Sequence, residues 1–199
     1  MSTPLPDFAA AQARGALDFV TADAASLQRL TRFPATEPWW GTTVRYRFDD
    51  PFGCFGVSYA GESIDVAFAE TVIHETASFE EGGWLLPREE ISQRWVVRYQ
   101  RTDPMLKLLD LTGAALKRLG LNNDVCSASD YAFTQRLSHA VHEQVPEADG
   151  ICYISRQLNT RRAVALFERS GVRCMQIAEP LETHPDLARL MKLFGVQLF

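Results

Sequence analysis

The chain has 199 residues, of which 46% are hydrophobic and 23% charged, and a formal net charge of -5. That balance supplies enough apolar surface to offset the ordering entropy of one sizeable core, which excludes a disordered or fibrous chain. The acidity, with Arg156, Arg161, Arg162 and Arg169 spread apart among apolar residues, excludes a nucleic-acid binder that works through a basic stripe.

In chain order, the first segment carries Asp7, Arg14 and Asp18 and no continuous apolar run. No secretory signal and no membrane span are therefore expected, and a cytoplasmic location is. Residues 9–31 are Ala-rich, with Phe19, Val20, Leu27 and Leu30 able to share a face; they predict helix, interrupted at Gly15 and Thr21–Asp23. Pro34, Pro38, Trp39 and Trp40 predict an irregular cover over 33–41, and the tryptophan pair or the terminal helices are candidate homodimer contacts. Thr43–Phe48 and Phe55–Tyr59 then predict two strands around the turn residues Asp49, Asp50, Pro51 and Gly53. A helix over Ser63–Thr76 with Ser63 as N-cap follows, then a loop at Gly82, Gly83 and Pro87.

The second half predicts strands over Arg94–Gln100 and Lys107–Leu111 and helices over Gly113–Leu119 and Ser129–Val145. Strands are expected again over Gly150–Ile154, Ala163–Phe167 and Val172–Ile177, and a helix from Pro185 to Phe194 closes the chain. Strands grouped among helices, without regular alternation, favour a mixed α+β fold in a single domain.

Cys54, Cys126, Cys152 and Cys174 form no C-x-x-C pair, so reduced thiols are expected rather than a disulfide framework or a zinc site. Nucleotide-binding glycine motifs, H-E-x-x-H and G-x-S-x-G are all missing. His139 and His142, with Glu143 beside them, have a spacing that could share a metal. Their helix is rich in other polar residues, so a solvated face is the expectation and no metal is assigned.

Four positions carry more interest. Glu70 projects between Val66 and Ile73 on one side and Ala67 on the other. It is a boundary residue reaching water, one held by a structural arginine, or a carboxylate kept partly dry, where its charge acts at low effective dielectric. In the predicted strand, alternation places Arg45 and Arg47 on one face, either a solvated sheet face or a fork for phosphate oxygens. Tyr59 suits the core or a pocket edge, where its ring stacks and its hydroxyl finds a partner. Ser155 ends an apolar strand with no nearby base in sequence, so it is a turn-former or a hydrogen-bonding group, not a nucleophile.

Taken in order, Arg47-Phe48-Asp49, Val57 to Ser63, Ala67-Phe68-Ala69-Glu70 and Asp149 to Arg156 resemble the arginine strand, tyrosine strand, glutamate helix and serine segment of the RES domain. Val164-Ala165-Leu166-Phe167 is similar to the strand that follows, and Arg32 best matches the family's leading arginine. The resemblance spans about 32–177, leaving a helical N-terminal extension and a C-terminal helix outside it. Tyr46 stands where family members often have glycine. The resemblance implies an ADP-ribosyltransferase-like core and a toxin that cleaves the nicotinamide–ribose bond of NAD by hydrolysis or phosphorolysis. NAD is then the substrate, no cofactor is needed, and an Xre-like helix-turn-helix antitoxin is the partner. It further implies that Glu70 stabilises an oxocarbenium-like ribose, Arg47 and Arg32 hold the pyrophosphate, Tyr59 stacks on nicotinamide, and Ser155 fixes the ribose or the glutamate. The alternatives are transfer of ADP-ribose to a macromolecule, or a silent module that only binds an antitoxin.

Overall fold

A computed structural model of the chain describes residues 4–175 and 178–199. The elements in order are α1 (Phe8–Ala13), β1 (Phe19–Asp23), β2 (Gln28–Thr31), β3 (Val57–Gly61), α2 (Ile64–Phe68), a π-helical turn (Ala69–Ile73) and α3 (His74–Thr76). Then come β4 (Ser78–Glu80), β5 (Gly83–Leu86), α4 (Glu89–Ser92), β6 (Trp95–Gln100), β7 (Met105–Leu111), α5 (Gly113–Arg118), α6 (Asp124–Ser127) and α7 (Ala132–Gln144). The chain continues through β8 (Gly150–Ile154), β9 (Arg162–Phe167), β10 (Arg173–Cys174), β11 (Glu179–Pro180), α8 (Leu187–Phe194) and β12 (Val196–Leu198). The fold is mixed α+β, as the grouping of strands and helices predicts.

The main sheet runs β1-β7-β8-β9-β3-β2-β6-β10, with β11 also on β6. Within this sheet, β7 and β8 are the one parallel pair among the described strands; outside it, β12 and β5 also pair in parallel. Period-two alternation explains why the central strands are apolar throughout. Leu109, Leu111, Ile151, Tyr153, Ala165 and Phe167 face a core shared with α1 and α7. Their neighbours Leu106, Leu108, Cys152, Val164 and Leu166 face a second cluster on the other side. A third cluster gathers Ile64, Phe68 and Val72 with Leu86, Val96 and Leu190. A small sheet, β12-β5-β4, borders that third cluster.

The seam between β2 and β3 positions the site. These strands share a single register pair, Gln28 with Gly61, whereas β3 pairs with β9 along its whole length. Beyond that pair they part, and a cavity of about 260 Å³ opens between them. Arg29 spans the gap by donating from Nη1 to the carbonyl of Tyr59 at 3.0 Å, and its Nε pairs with Glu37 at 3.0 Å.

Two predicted segments differ. Residues 9–31 form α-helix only over α1, where the Asp7 carboxylate accepts from the Ala10 N–H at 2.9 Å, besides one 3-10 turn over Ala24–Ser26. From Phe19 onward the backbone pairs instead, β1 along β7 and β2 along β6; sheet hydrogen bonds override the weak helical preference of alanine. Thr43–Phe48 forms no strand at all. The helix predicted over 63–76 is present, with Ser63 preceding it but making no side-chain cap bond. Of the strand predicted over 172–177, β10 covers 173–174, while 176 and 177 lie outside the described residues. The glycines at 82–83 sit in a hairpin rather than a plain loop. Among the described residues, no helix is long and apolar enough to cross a membrane.

Candidate active site

The cavity is lined by Arg47, Tyr59, Glu70 and Arg32, together with Tyr131, Tyr153 and Arg94. Four of the five residues singled out from sequence thus meet at one opening. The fifth, Ser155, stands directly behind, 1% exposed, and donates from Oγ to Glu70 Oε1 at 2.5 Å.

Glu70 sits in the π-helical turn between α2 and α3. One extra residue in the turn shifts the side-chain register locally, and such turns occur often at functional sites. Val66, Ala67 and Ile73 are all buried around it, so its carboxylate emerges from an apolar stripe as its helical position predicts. Gly61 makes this possible. A Cβ there would lie 2.7 Å from Val66 Cβ and 2.8 Å from Ala67 N, so β3 and α2 approach this closely only at a glycine. Ser155 itself is locked by the turn after β8, where its Oγ accepts from the N–H groups of Gln157 and Leu158 at 3.2 and 3.0 Å. The turn-forming and the hydrogen-bonding readings of Ser155 are therefore both met by one oxygen.

Arg47 is 7% exposed and has no carboxylate within 4 Å among the described residues. Its Nη1 donates to the carbonyls of Val125 and Ala128 at 3.2 and 3.0 Å, at the C-terminal end of α6, and its guanidinium lies 4.7 Å from the Tyr131 ring centroid. The helix end and the aromatic face both favour a cation. The strand alternation expected here is absent: Val44, Arg45 and Tyr46 are exposed, while Arg47 and Phe48 are both buried. The cause lies in side chains that take up the backbone groups a sheet would use. Asp49 Oδ2 accepts from the N–H groups of Arg45 and Tyr46, both at 2.9 Å, and Gln135 Nε2 donates to the carbonyls of Val44 and Tyr46 at 3.1 and 3.0 Å.

Tyr59 divides its labour. Its ring lines the cavity, and its hydroxyl donates to Asp49 Oδ1 while accepting from Phe48 N–H, both at 2.9 Å. Burial, followed by the charge of Asp49, pushes its phenol well above the ordinary range. Burial and then Glu70 do the same to Tyr153. Neither phenol is suited to act as a base near neutral pH.

Arg32 is tied down at the rim, donating to both oxygens of Glu90 at 2.7 and 2.6 Å. Arg94 shares Glu90 at 2.9 Å. Burial alone would raise the Glu90 carboxyl, but the two arginines outweigh it and hold the group below its ordinary range. Asp49, Gln135 and Tyr131 were not singled out from sequence. Gln135 looks there like any polar helical residue, and nothing local marks it as buried.

Away from the cavity, the predicted solvated face of His139 and His142 is corrected. His139 Nδ1 lies 2.9 Å from Asp50 Oδ1, and the His142 ring stacks 3.8 Å from Phe55. Both are half-buried structural residues. The four cysteines are free thiols. Burial pushes Cys152 up to about 12, which suits an inert core residue. Trp39 is exposed, while Trp40 packs against the sheet.

An α+β fold whose sheet parts over a buried arginine and a serine-held glutamate defines a class. The chain belongs to the RES family, whose domain model matches residues 26–188. No curated protein matches the sequence. Among solved structures, the fold is similar to a chain in the crystal structure of the M. tuberculosis MbcT-MbcA toxin-antitoxin complex. The TM-score is 0.59 at 16% identity, covering 96% of this chain and 100% of that one.

Proposed function

We propose that this chain cleaves the nicotinamide–ribose bond of NAD and serves as the toxin of a pair silenced by a cognate antitoxin. One observation carries the chemistry: a glutamate fixed by Ser155 at 2.5 Å and a buried arginine without a carboxylate partner among the described residues line the same cavity. The first suits a developing positive charge and the second suits a phosphate.

In this reading the bond between ribose C1 and the nicotinamide nitrogen breaks, and its electron pair goes to the ring, which leaves neutral. Positive charge develops over ribose C1 and the ring oxygen. Glu70 stabilises it, with Ser155 fixing the carboxylate rather than attacking. Water then adds to C1 and releases a proton, giving ADP-ribose; phosphate in its place would give the sugar 1-phosphate. Arg47 pairs with the diphosphate, and the face of Tyr59 receives the nicotinamide ring. Arg32 contributes from the rim only so far as Glu90 leaves its charge free. NAD enters as substrate and not as a resident cofactor.

The antitoxin partner is supported by the toxin-antitoxin complex that contains the similar fold; its helix-turn-helix type follows from the family resemblance. Expression of the chain without a partner in a bacterial host tests the reading. Growth arrest with falling NAD is expected from the wild type, and neither from Glu70→Gln produced at the same soluble level. Arrest by both proteins alike would remove Glu70 from the mechanism.

A further inference from the structure

We infer that Asp49 is a positioning residue for the site, holding the 44–48 segment so that Arg47 meets the substrate diphosphate already in place. This inference rests on the NAD-cleaving reading and adds to it the group that prepares diphosphate recognition.

The segment has no regular secondary structure, so its polar backbone groups need other partners. The N–H groups of Arg45 and Tyr46 end on Asp49 Oδ2. The N–H of Phe48 ends on the Tyr59 hydroxyl, which passes its own hydrogen to Asp49 Oδ1. The N–H of Asp49 donates to the Tyr46 carbonyl at 3.2 Å, closing the turn. The Asp49 carboxylate, on a residue 0% exposed, therefore accepts three of these bonds directly and orders a fourth donor, the Phe48 N–H, through Tyr59. Burying a carboxylate is costly unless it is hydrogen-bonded, and here each of its oxygens is used by the Arg47 segment or by Tyr59.

The backbone carries strain consistent with this. Val44 has φ 58°, a left-handed conformation that a β-branched residue rarely adopts. Such a residue persists where its surroundings over-determine it. Gln135 holds the Val44 carbonyl, and Asp49 holds the next two N–H groups. At the end of this clamp Phe48 is anchored in the core against Tyr153, at 4.8 Å between ring centroids. Arg47 lies between the clamp and the anchor. Its guanidinium is thereby ordered before any ligand arrives, and less entropy is lost on binding.

Asp49→Asn tests the inference because an amide cannot reproduce the pattern. It has one acceptor oxygen for the two N–H groups, and its NH2 faces a Tyr59 hydroxyl whose own hydrogen then lacks an acceptor. Gln135→Leu loosens the same segment from α7 and serves as a second variant should Asp49→Asn fold poorly. Calorimetric binding of ADP, which carries the diphosphate without nicotinamide, is measured beside steady-state NAD cleavage and inhibition by nicotinamide. Each variant is expected to weaken ADP binding and raise KM for NAD together, about tenfold. Turnover is expected to stay within roughly twofold, because the arginine binds the diphosphate alike in ground and transition states. Gln135→Leu, whose native side chain bonds the Val44 and Tyr46 carbonyls and not Tyr59, is also expected to leave nicotinamide inhibition unchanged. ADP binding equal to wild type in both variants would overturn the inference and leave NAD cleavage standing. Proportional loss of turnover, ADP binding and nicotinamide inhibition would also overturn it, since that pattern marks general collapse. A wild-type protein that binds ADP but releases no nicotinamide would refute the cleavage reading, while the ADP comparison still decides the role of Asp49. Wild-type protein that binds no ADP overturns the inference, and nicotinamide release alone then decides the cleavage reading.

Discussion

Glu70 and Ser155 lie 85 positions apart and meet at 2.5 Å, and that contact gives each a distinct contribution. Glu70→Gln keeps the shape of the carboxylate and removes its charge. It is expected to cut nicotinamide release by roughly 10²–10³-fold, the scale of losing one preorganised electrostatic group, with the thermal midpoint little changed. Ser155→Ala removes the charge-assisted hydrogen bond to Glu70 together with the acceptor of the Gln157 and Leu158 N–H groups, and is expected to cost about tenfold in turnover with some loss of stability. An equal loss from the two variants would instead point to Ser155 as a reacting group. Glu90 supplies a pH signature of its own. Its folded-state carboxyl lies below the ordinary 4.5 because Arg32 and Arg94 outweigh burial. The folded state therefore releases this proton more readily, and the associated stability is present above that ordinary value and lost as pH falls through the depressed one. The thermal midpoint of Glu90→Gln is expected to lie below wild type near pH 7, with the gap closing in acid. A gap independent of pH would show that the ion pairs contribute nothing. At this scale the sequence was informative for Glu70, whose apolar flanks are visible in the helical projection. It was uninformative for Asp49 and Gln135, whose importance exists only once distant elements are folded against the Arg47 segment.

At the level of elements, the site depends on how closely β3 approaches α2. Gly61→Ala is expected to destabilise the fold by about 1–3 kcal/mol, because its Cβ would meet Val66 and backbone rather than a flexible side-chain end. Activity is expected to fall with it, since the same helical stretch carries Glu70. A thermal midpoint equal to wild type would mean that the two elements separate freely. The central strands were legible because alternation and apolar runs agree with their burial on both faces. Two failures have local causes. Alanine favours helix over 9–31, but β7 and β6 offered open edges that β1 and β2 completed. Over 43–48 the alternation was genuine in sequence, yet Asp49 and Gln135 occupy the backbone groups that a strand would use. The π-helical register around Glu70 left no mark in composition, since it differs from an α-helix by a single residue.

At the scale of the molecule, the cavity exists because the sheet separates between β2 and β3, and side chains from loops and helices converge on the gap. Segments beyond the 26–188 family match also belong to the core: Phe8 is fully buried in the cluster that includes α7, and β12 completes the small sheet. Phe8→Ala is accordingly expected to cost roughly 3–5 kcal/mol in chemical denaturation; a change under about 1 kcal/mol would make the N-terminal segment an appendage. The family was legible from sequence because its motifs keep their order along the chain, although each is loose alone. In the proposed cleavage the acceptor of the ADP-ribose was not legible, since water and phosphate would ask for the same glutamate and the same arginine. Product analysis of NAD incubated with the purified chain, with and without phosphate, addresses the central claim most directly. Free nicotinamide is expected in equal amount to NAD consumed, accompanied by ADP-ribose or its 1-phosphate, and lost with Glu70→Gln. Intact NAD after incubation with folded wild-type protein that binds ADP would contradict it.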